Sequence, residues 1–179
     1  MNVDPAVIFE NSADQRSSRA LQDFIACACK AVGLGGSVNV LVATDSKIRR
    51  LNHHYRGKNM ATDVLSFPAG ESSNGVAGDI AISREIAAAN ARALGHSLMD
   101  EIRILILHGI LHLAGYDHEN DQGVMQRKET ALRKKLGLPD ALIERSLAST
   151  TSSIFGPSRS AKSRSRQRRR AKDERRSRT

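Results

Sequence analysis

The chain has 179 residues, 40% of them hydrophobic but only 3% aromatic, and a formal net charge of +9. This length predicts one domain with a single core, and the scarcity of aromatic side chains predicts an aliphatic, alanine-rich interior. The most apolar run, residues 102–114, is too short to cross a bilayer, and no signal segment is recognisable near residue 1. We therefore expect a soluble, cytoplasmic protein that does not associate with membranes.

The predicted elements follow the order strand, helix, strand, helix, strand, strand, helix, helix, helix. Apolar and β-branched runs predict strands at residues 7–9, 38–42, 64–67 and 79–82. Helical spacing and capping residues predict helices over residues 17–32, 45–57, 83–95, 97–114 and 121–136. This order predicts an α/β (α+β-like) fold, with a small mixed sheet of about four strands and about five helices.

Two details of the helices concern which side chains are buried. In the second helix the predicted buried stripe is Ile48, Leu51 and Tyr55. In the first, Cys27 and Cys29 are two residues apart, so they cannot bridge one another, and no second pair exists to complete a metal site. We interpret both cysteines as small core residues of a protein in a reducing compartment.

The positive charge is concentrated at one end of the sequence. Residues 1–156 contain 17 Lys and Arg against 17 Asp and Glu, whereas residues 157–179 contain 11 against 2. Periodicity also ends near residue 149, so we predict a folded domain over residues 1–148 and a disordered, Arg- and Ser-rich tail over residues 149–179. The basic segment would attract RNA phosphates by counterion release, or it would only keep the protein in solution.

The fourth helix carries the most informative pattern in the chain. His108 and His112 are four residues apart and lie on one helical face. Gly115 can adopt a left-handed conformation and turn the chain, which would bring His118 to the same point. Three histidine ligands with a fourth position for water are the arrangement of a catalytic zinc site. We predict one Zn²⁺ per chain, bound at the end of this central apolar helix.

The spacing matches the metzincin pattern H-E-x-x-H-x-x-G-x-x-H at every position except one. Gly109 stands where that pattern has glutamate, the general base for peptide hydrolysis. The ligands of a zinc peptidase are therefore present and its base is not. The alternative is that the three histidines lie on a buried helix and bind no metal.

Two sequence blocks resemble the signatures of the YbeY endoribonuclease family of rRNA maturation factors. One is Leu-His-Gly-Ile-Leu-His-Leu-Ala-Gly-Tyr-Asp-His, residues 107–118. The other is Asn-His-His-Tyr-Arg-Gly-Lys, residues 52–58, followed by Thr-Asp-Val-Leu-Ser-Phe-Pro, residues 62–68. The resemblance covers about residues 3–140. It implies an α/β fold and a single-strand-specific, zinc-dependent endoribonuclease that acts in 3′-end maturation of small-subunit rRNA and in ribosome quality control. The implied partners are this rRNA precursor and the ribosome or its proteins.

Cleavage of a phosphodiester needs a cation that offsets charge on the non-bridging oxygens, and the planar fork of arginine suits this task. Arg56 is the candidate, since it ends a helix before Gly57 and a polar loop. The alternative is a solvated surface arginine, but the resemblance implies a functional one, because Arg56 falls on the family's implicated arginine.

Weaker candidates remain for the surroundings of the site. Asp63 and Asp117 could orient a ligand histidine, although a cap or turn role is the preferred interpretation for both. The remaining histidines, His53, His54 and His96, receive no role.

Three function classes stay open on the residues. An RNA-cutting metal hydrolase fits the histidine pattern, the missing peptidase base and the resemblance. A zinc peptidase fits the histidine pattern alone. A non-catalytic, zinc-stabilised RNA-binding protein fits the histidine pattern and the basic tail.

Overall fold

A computed structural model describes residues 4–10, 17–70, 75–117 and 121–139 of the chain. The predicted tail, residues 149–179, lies outside the described residues, as does His118. The described residues form nine elements in the order β1 (Val7–Phe9), α1 (Ser18–Val32), β2 (Ser37–Ala43), α2 (Asp45–Arg56), β3 (Val64–Pro68), β4 (Val76–Ser83), α3 (Arg84–Leu94), α4 (Leu98–Leu113) and α5 (Val124–Lys135). The predicted fold class and element order are confirmed. The predicted and observed element starts differ most for β4, which begins at Val76 and not at residue 79, and for α5, which begins at Val124 and not at residue 121.

The four strands form one mixed sheet in the order β1-β2-β4-β3. Strands β1, β2 and β4 are parallel, and β3 runs antiparallel to β4 with Ser66 opposite Ile80 and Pro68 opposite Gly78. Among the described residues, β4 is the one hydrogen-bonded neighbour of β3, which therefore forms an edge of the sheet. This edge matters for the site described below.

One face of the sheet carries the main hydrophobic core. Alternate residues of the central strands, among them Val40 and Ile80, point to this face and pack against α1 and α4. Helix α4 is apolar on nearly every side, and nine of its residues are buried. A helix of this composition is stable only in the interior, so α4 occupies the middle of the domain, as the sequence predicts.

The other face of the sheet is covered by α2. Ile48 is buried there with Leu65 and Ala81, and Leu51 packs at the margin. The predicted stripe is correct for the first two residues but wrong for Tyr55, whose side chain is 62% exposed. Tyr55 lies in the last turn of α2 and touches the sheet through its contact with the ring of Phe67 in β3, while most of its surface stays exposed.

Serine caps start the two helices that follow β4. Ser83 accepts a hydrogen bond from the backbone N–H of Ile86, and Ser97 accepts one from that of Asp100. Just after the second cap, the fully buried Glu101 pairs with Nε2 of His96 at 2.8 Å. These contacts fix the direction in which α4 enters the core. Along the part of the chain that the structure describes, no helix is both long and apolar enough to span a bilayer.

The cysteine prediction holds for one residue of the two. Cys29 is buried, but Cys27 is exposed. Two residues correspond to about 200° of rotation on a helix, so the two thiols face nearly opposite directions and only one can reach the core. Burial raises the pKa of the Cys29 thiol to about 11.

We expect the two thiols to react with alkylating reagents at very different rates. At pH 8 a pKa of about 11 leaves on the order of one in a thousand Cys29 thiols ionised, and burial also blocks access. Mass spectrometry of folded protein treated with iodoacetamide should show modification of Cys27 alone, with Cys29 reacting only in denaturant. The Cys27→Ser variant should lose the fast reaction. Equal rates for both thiols in the folded protein would contradict this arrangement.

Candidate active site

The histidine pair is formed at the C-terminal end of α4. His108 and His112 lie one turn apart, and their Nε2 atoms are 3.1 Å from each other. The ring centroids are 4.8 Å apart and the ring planes meet at 73°. Each ring thus directs the same nitrogen toward one point, which is the arrangement that two imidazoles need to bind one metal ion.

The other nitrogen of His108 is held by a carboxylate from α5. His108 Nδ1 lies 3.0 Å from Oε2 of Glu129. The second carboxylate oxygen of Glu129 accepts from Nε of Arg133 at 3.0 Å and also from its Nη2. Arg133 is almost fully buried, with 3% of its surface exposed. A carboxylate on Nδ1 fixes the ring orientation and leaves Nε2 available as a ligand for a metal ion.

The carboxylate of Glu129 stays ionised in this setting. Burial acts to raise its pKa, but the hydrogen bond to His108 and the electrostatic attraction of His108 and Arg133 outweigh burial and lower the pKa to about 2. A negative charge therefore faces His108 throughout the physiological pH range.

The chain turns after α4 as the glycine predicts. Gly115 has φ of 88°, and its backbone N–H donates to the carbonyl of His112 at 3.0 Å. Tyr116 follows and donates to the carbonyl of Leu111. The third predicted ligand, His118, lies outside the described residues. Within residues 4–10, 17–70, 75–117 and 121–139, no three His, Cys, Asp or Glu side chains are grouped to hold a metal ion.

Gly109 sits where α4 comes closest to the sheet. A Cβ atom at this position would lie 2.7 Å from Cδ1 of Ile80 and 3.1 Å from its Cγ1 and Cγ2 atoms. Ile80 is itself buried in the core. The space that a glutamate side chain would need at position 109 is therefore filled, and this fold has no room for the peptidase base there.

Arg56 lies at the end of α2, on the opposite side of strand β3 from the histidine pair. It is exposed and is followed by the helix-ending Gly57. The preceding residue, Tyr55, packs on Phe67 of β3. On the other face of the same strand, the hydroxyl of Ser66 lies 3.4 Å from the carbonyl of Gly109. The end of α2 and the histidine-bearing part of α4 therefore flank adjacent residues of one edge strand.

The weaker candidates have local roles in the described structure. Oδ1 of Asp63 accepts from the backbone N–H of Val64 at 2.8 Å and from the hydroxyl of Thr62 at 3.2 Å, which is the turn role preferred from the sequence. Asp117 is exposed. His53 and His54 are exposed on α2, whereas His96 is paired with Glu101 at the α3–α4 junction.

Glu129 is the site residue that sequence analysis missed. Its signal was present in the helical spacing, since Met125 and Leu132 are buried four residues before and three residues after it. A carboxylate on the buried side of an amphipathic helix needs a partner, and here the partners are His108 and Arg133.

These features define a class: a mixed α/β protein whose central helix ends in an imidazole pair backed by a partly buried carboxylate. Residues 8–137 match the sequence profile of the family described as Endoribonuclease YbeY, and the chain belongs to this family. The resemblance inferred from the two sequence blocks is thereby confirmed.

Two relatives are similar over most of their length. Endoribonuclease YbeY of Koribacter versatilis is 56% identical over 129 residues, which are 72% of this chain and 84% of the relative. The protein of the same name from Solibacter usitatus is 45% identical over 140 residues, covering 78% and 93%. A solution structure of a Thermotoga maritima protein superposes with a TM-score of 0.52 at 28% identity, covering 89% of this chain and 99% of that one.

We predict that Glu129→Ala destabilises the fold, because it leaves the buried Arg133 guanidinium without its carboxylate. The loss in free energy of unfolding should be about 3–5 kcal/mol by denaturant titration. Glu129→Ala combined with Arg133→Met should recover most of it. The matched control is Asp23→Ala, which breaks an exposed pair with Arg19 at the same i,i+4 spacing and should cost less than about 1 kcal/mol. Equal losses in the single and double variants would contradict the buried pair.

A second prediction concerns Gly109. Alanine is normally better than glycine inside a helix by about 1 kcal/mol, but here its Cβ would collide with Ile80. We expect Gly109→Ala to lower the melting temperature, since overpacking costs roughly 1–3 kcal/mol. Ile80→Val removes Cδ1, the nearest atom. The loss of stability in the double variant should therefore be smaller than the sum of the losses in the two single variants. A Gly109→Ala protein that melts higher than the parent would rule out this close packing.

Proposed function

We propose that this protein is a metal-dependent endoribonuclease that cleaves single-stranded RNA, with Zn²⁺ as its metal. The observation that carries the proposal is the histidine pair, in which two Nε2 atoms converge to 3.1 Å while Glu129 occupies Nδ1 of His108. Family membership supports the reaction class, because curated relatives bear the name Endoribonuclease YbeY. The proposal assigns the metal to His108, His112 and His118.

The residues present fit a zinc ion in their donor chemistry. Imidazole nitrogen is a common zinc ligand, and a ligand histidine almost always donates its other N–H to a carboxylate or carbonyl. Glu129 provides that carboxylate for His108. When bound, zinc supplies a Lewis acid that stabilises negative charge on the substrate.

Arg56 would bind the phosphodiester during cleavage. Its guanidinium can donate two parallel hydrogen bonds to the non-bridging oxygens, and this contact strengthens as negative charge builds on them. An exposed arginine at the end of a helix is free to reach past the strand edge, and α2 ends beside β3. Arg56 would thus approach the phosphate from the α2 side of the edge strand, and the histidines from the α4 side.

The competing functions receive less support. A peptidase would need a general base at position 109, and Ile80 fills the space around that glycine. A zinc-stabilised RNA-binding protein without activity would have no use for a half-exposed histidine pair, and the side chain of His108 keeps 24% of its surface exposed. A structural zinc site is normally closed by four protein ligands.

The biological substrate we propose is the small-subunit rRNA precursor, trimmed at its 3′ end, with a second role in ribosome quality control in the cytoplasm. The ribosome or one of its proteins would then be the partner that delivers the RNA. This part of the proposal rests on the family resemblance of residues 52–68 and 107–118.

The test compares metal content and RNA cleavage in matched variants. Treatment with EDTA should abolish cleavage of a single-stranded oligoribonucleotide, and zinc should restore it. His112→Ala should lose metal and cleavage together. Arg56→Ala should lower the cleavage rate on the order of a hundredfold while metal content and melting temperature stay unchanged. Arg56→Lys should rescue poorly, because an ammonium lacks the planar fork.

The control variant is Arg50→Ala, which removes another exposed arginine from the same helix and should leave the rate unchanged. Full metal content in dialysed His112→Ala protein would disprove the ligand assignment. Normal cleavage by Arg56→Ala would remove that residue from the mechanism. A parent protein that hydrolyses peptides but not RNA would overturn the proposed function as a whole.

A further inference from the structure

Tyr55 is the most exposed large hydrophobic side chain among the described residues. It shows 62% of its surface to solvent, against 59% for Ile8, 52% for Met60 and 45% for Val124. The sequence places Tyr55 on the buried stripe of α2, so the exposure of its ring is not what helical spacing alone predicts. An exposed aromatic ring offers a flat surface on which a partner with its own π-face can stack.

The ring of Tyr55 is held in place although it is exposed. It packs on the ring of Phe67 with centroids 4.9 Å apart and planes tilted by 55°. The imidazole of His54 stands perpendicular to it at 4.6 Å. Two aromatic contacts restrict the side chain to one orientation, so a partner that stacks on its outer surface would find the ring already ordered.

The residues around Tyr55 favour a negatively charged partner. Residues 53–60 include the exposed cations Arg56 and Lys58 and contain no Asp or Glu. The loop after α2 is fixed by Asn52, which donates from Nδ2 to the carbonyl of Met60 at 2.8 Å. Lys58 therefore belongs to an ordered loop and lies on the same short segment as the aromatic ring.

Strand β3 relates this ring to the histidine pair. Phe67, which supports Tyr55, is adjacent in β3 to Ser66, whose hydroxyl approaches the carbonyl of Gly109 on α4. Gly109 directly follows His108 in the sequence. A single-stranded chain that crosses the edge of β3 would therefore run from the face that carries the exposed ring and Arg56 to the face that carries α4 and its histidines.

We propose that Tyr55 is a stacking platform for one unpaired base of the RNA substrate, next to the phosphate that Arg56 contacts. The inference rests on the proposed endoribonuclease function and names a specificity determinant for it. An unpaired base can stack on an exposed ring, whereas a base within a duplex cannot, so the platform provides a physical reason for a preference for single strands. The adjacent cations would bind the phosphates on either side of the stacked base.

The test measures RNA binding as well as cleavage, on full-length protein as purified. A fluorescein-labelled oligoribonucleotide of mixed sequence is titrated at low temperature, and electrophoresis verifies that it stays intact. Tyr55→Leu should weaken binding of the single strand about tenfold, because base–aromatic stacking contributes that much per base. Tyr55→Phe should bind like the parent, since the ring and not the hydroxyl stacks. Ile8→Ala, which truncates an exposed apolar residue on the opposite edge strand, is the matched control and should change nothing.

A fluorescent variant reports the stacking directly. The chain contains no tryptophan, so Tyr55→Trp places a single indole on the platform. Its emission should be quenched by the single-stranded oligonucleotide with the same affinity that fluorescein anisotropy gives, and much less by the matching duplex. The melting temperatures of all variants should agree with the parent, because the side chain is exposed.

Several outcomes would overturn the platform. These are parent-like affinity in Tyr55→Leu, equal weakening in Tyr55→Phe, or unchanged tryptophan emission while RNA is bound. If the parent cleaves RNA and Tyr55→Leu binds and cleaves equally well, the platform fails and the endoribonuclease proposal stands. In that case the exposed ring of Tyr55 would be a contact for a protein partner and not for RNA. If the parent binds the single strand through Tyr55 but does not cleave it, the proposed function fails and the platform stands.

Discussion

Helix α4 and strand β4 are in contact at two glycines, and the position of the site depends on this contact. A Cβ at Gly109 would meet Ile80 at 2.7 Å, and a Cβ at Gly78 would meet Leu113 at the same distance. The helix is therefore fixed in rotation and in height over the sheet. His108 and His112 lie about 100° and 60° around the axis from Gly109, so they emerge together at one flank of the helix, where α5 supplies Glu129. The buried surface of α4 stabilises the fold, while the exposed flank carries the polar site.

The polar site is built in layers that extend outward from this helix. The two imidazoles come from α4, the carboxylate that orients one of them comes from α5, and the guanidinium that neutralises the carboxylate lies one turn further along α5. A charged group this far removed from solvent is unstable without a partner, and here Glu129 pairs with both His108 and Arg133. On the opposite side of the edge strand, Arg56 and Tyr55 are exposed, as the contacts with RNA that we propose for them require.

Much of this architecture was predictable from the sequence. The elements have strong periodic patterns and clear ends, such as the caps Ser83 and Ser97, and the histidine pair needs only the regular geometry of a helix. The partner of His108 was not predictable in the same way, because the contact between residues 108 and 129 depends on how two helices pack. The sequence also did not reveal that α2 and α4 lie on opposite faces of the sheet, nor that Tyr55 contacts Phe67 while most of its surface stays exposed. Helical spacing gives the direction of a side chain but not how far neighbouring elements cover it, so it assigned Tyr55 to the buried stripe.

The place of Glu129 in the chain affects how the site is assembled during synthesis. The ribosome releases the polypeptide from its N-terminal end, so a nascent chain that has emerged as far as residue 117 contains the sheet, α4 and both imidazoles but not α5. In that intermediate His108 lacks the carboxylate that orients it, and Arg133, whose burial depends on Glu129, has not yet appeared. Docking of α5 is then the step that completes the candidate active site. An incomplete chain would hold the histidines without the carboxylate that orients His108 until α5 was in place.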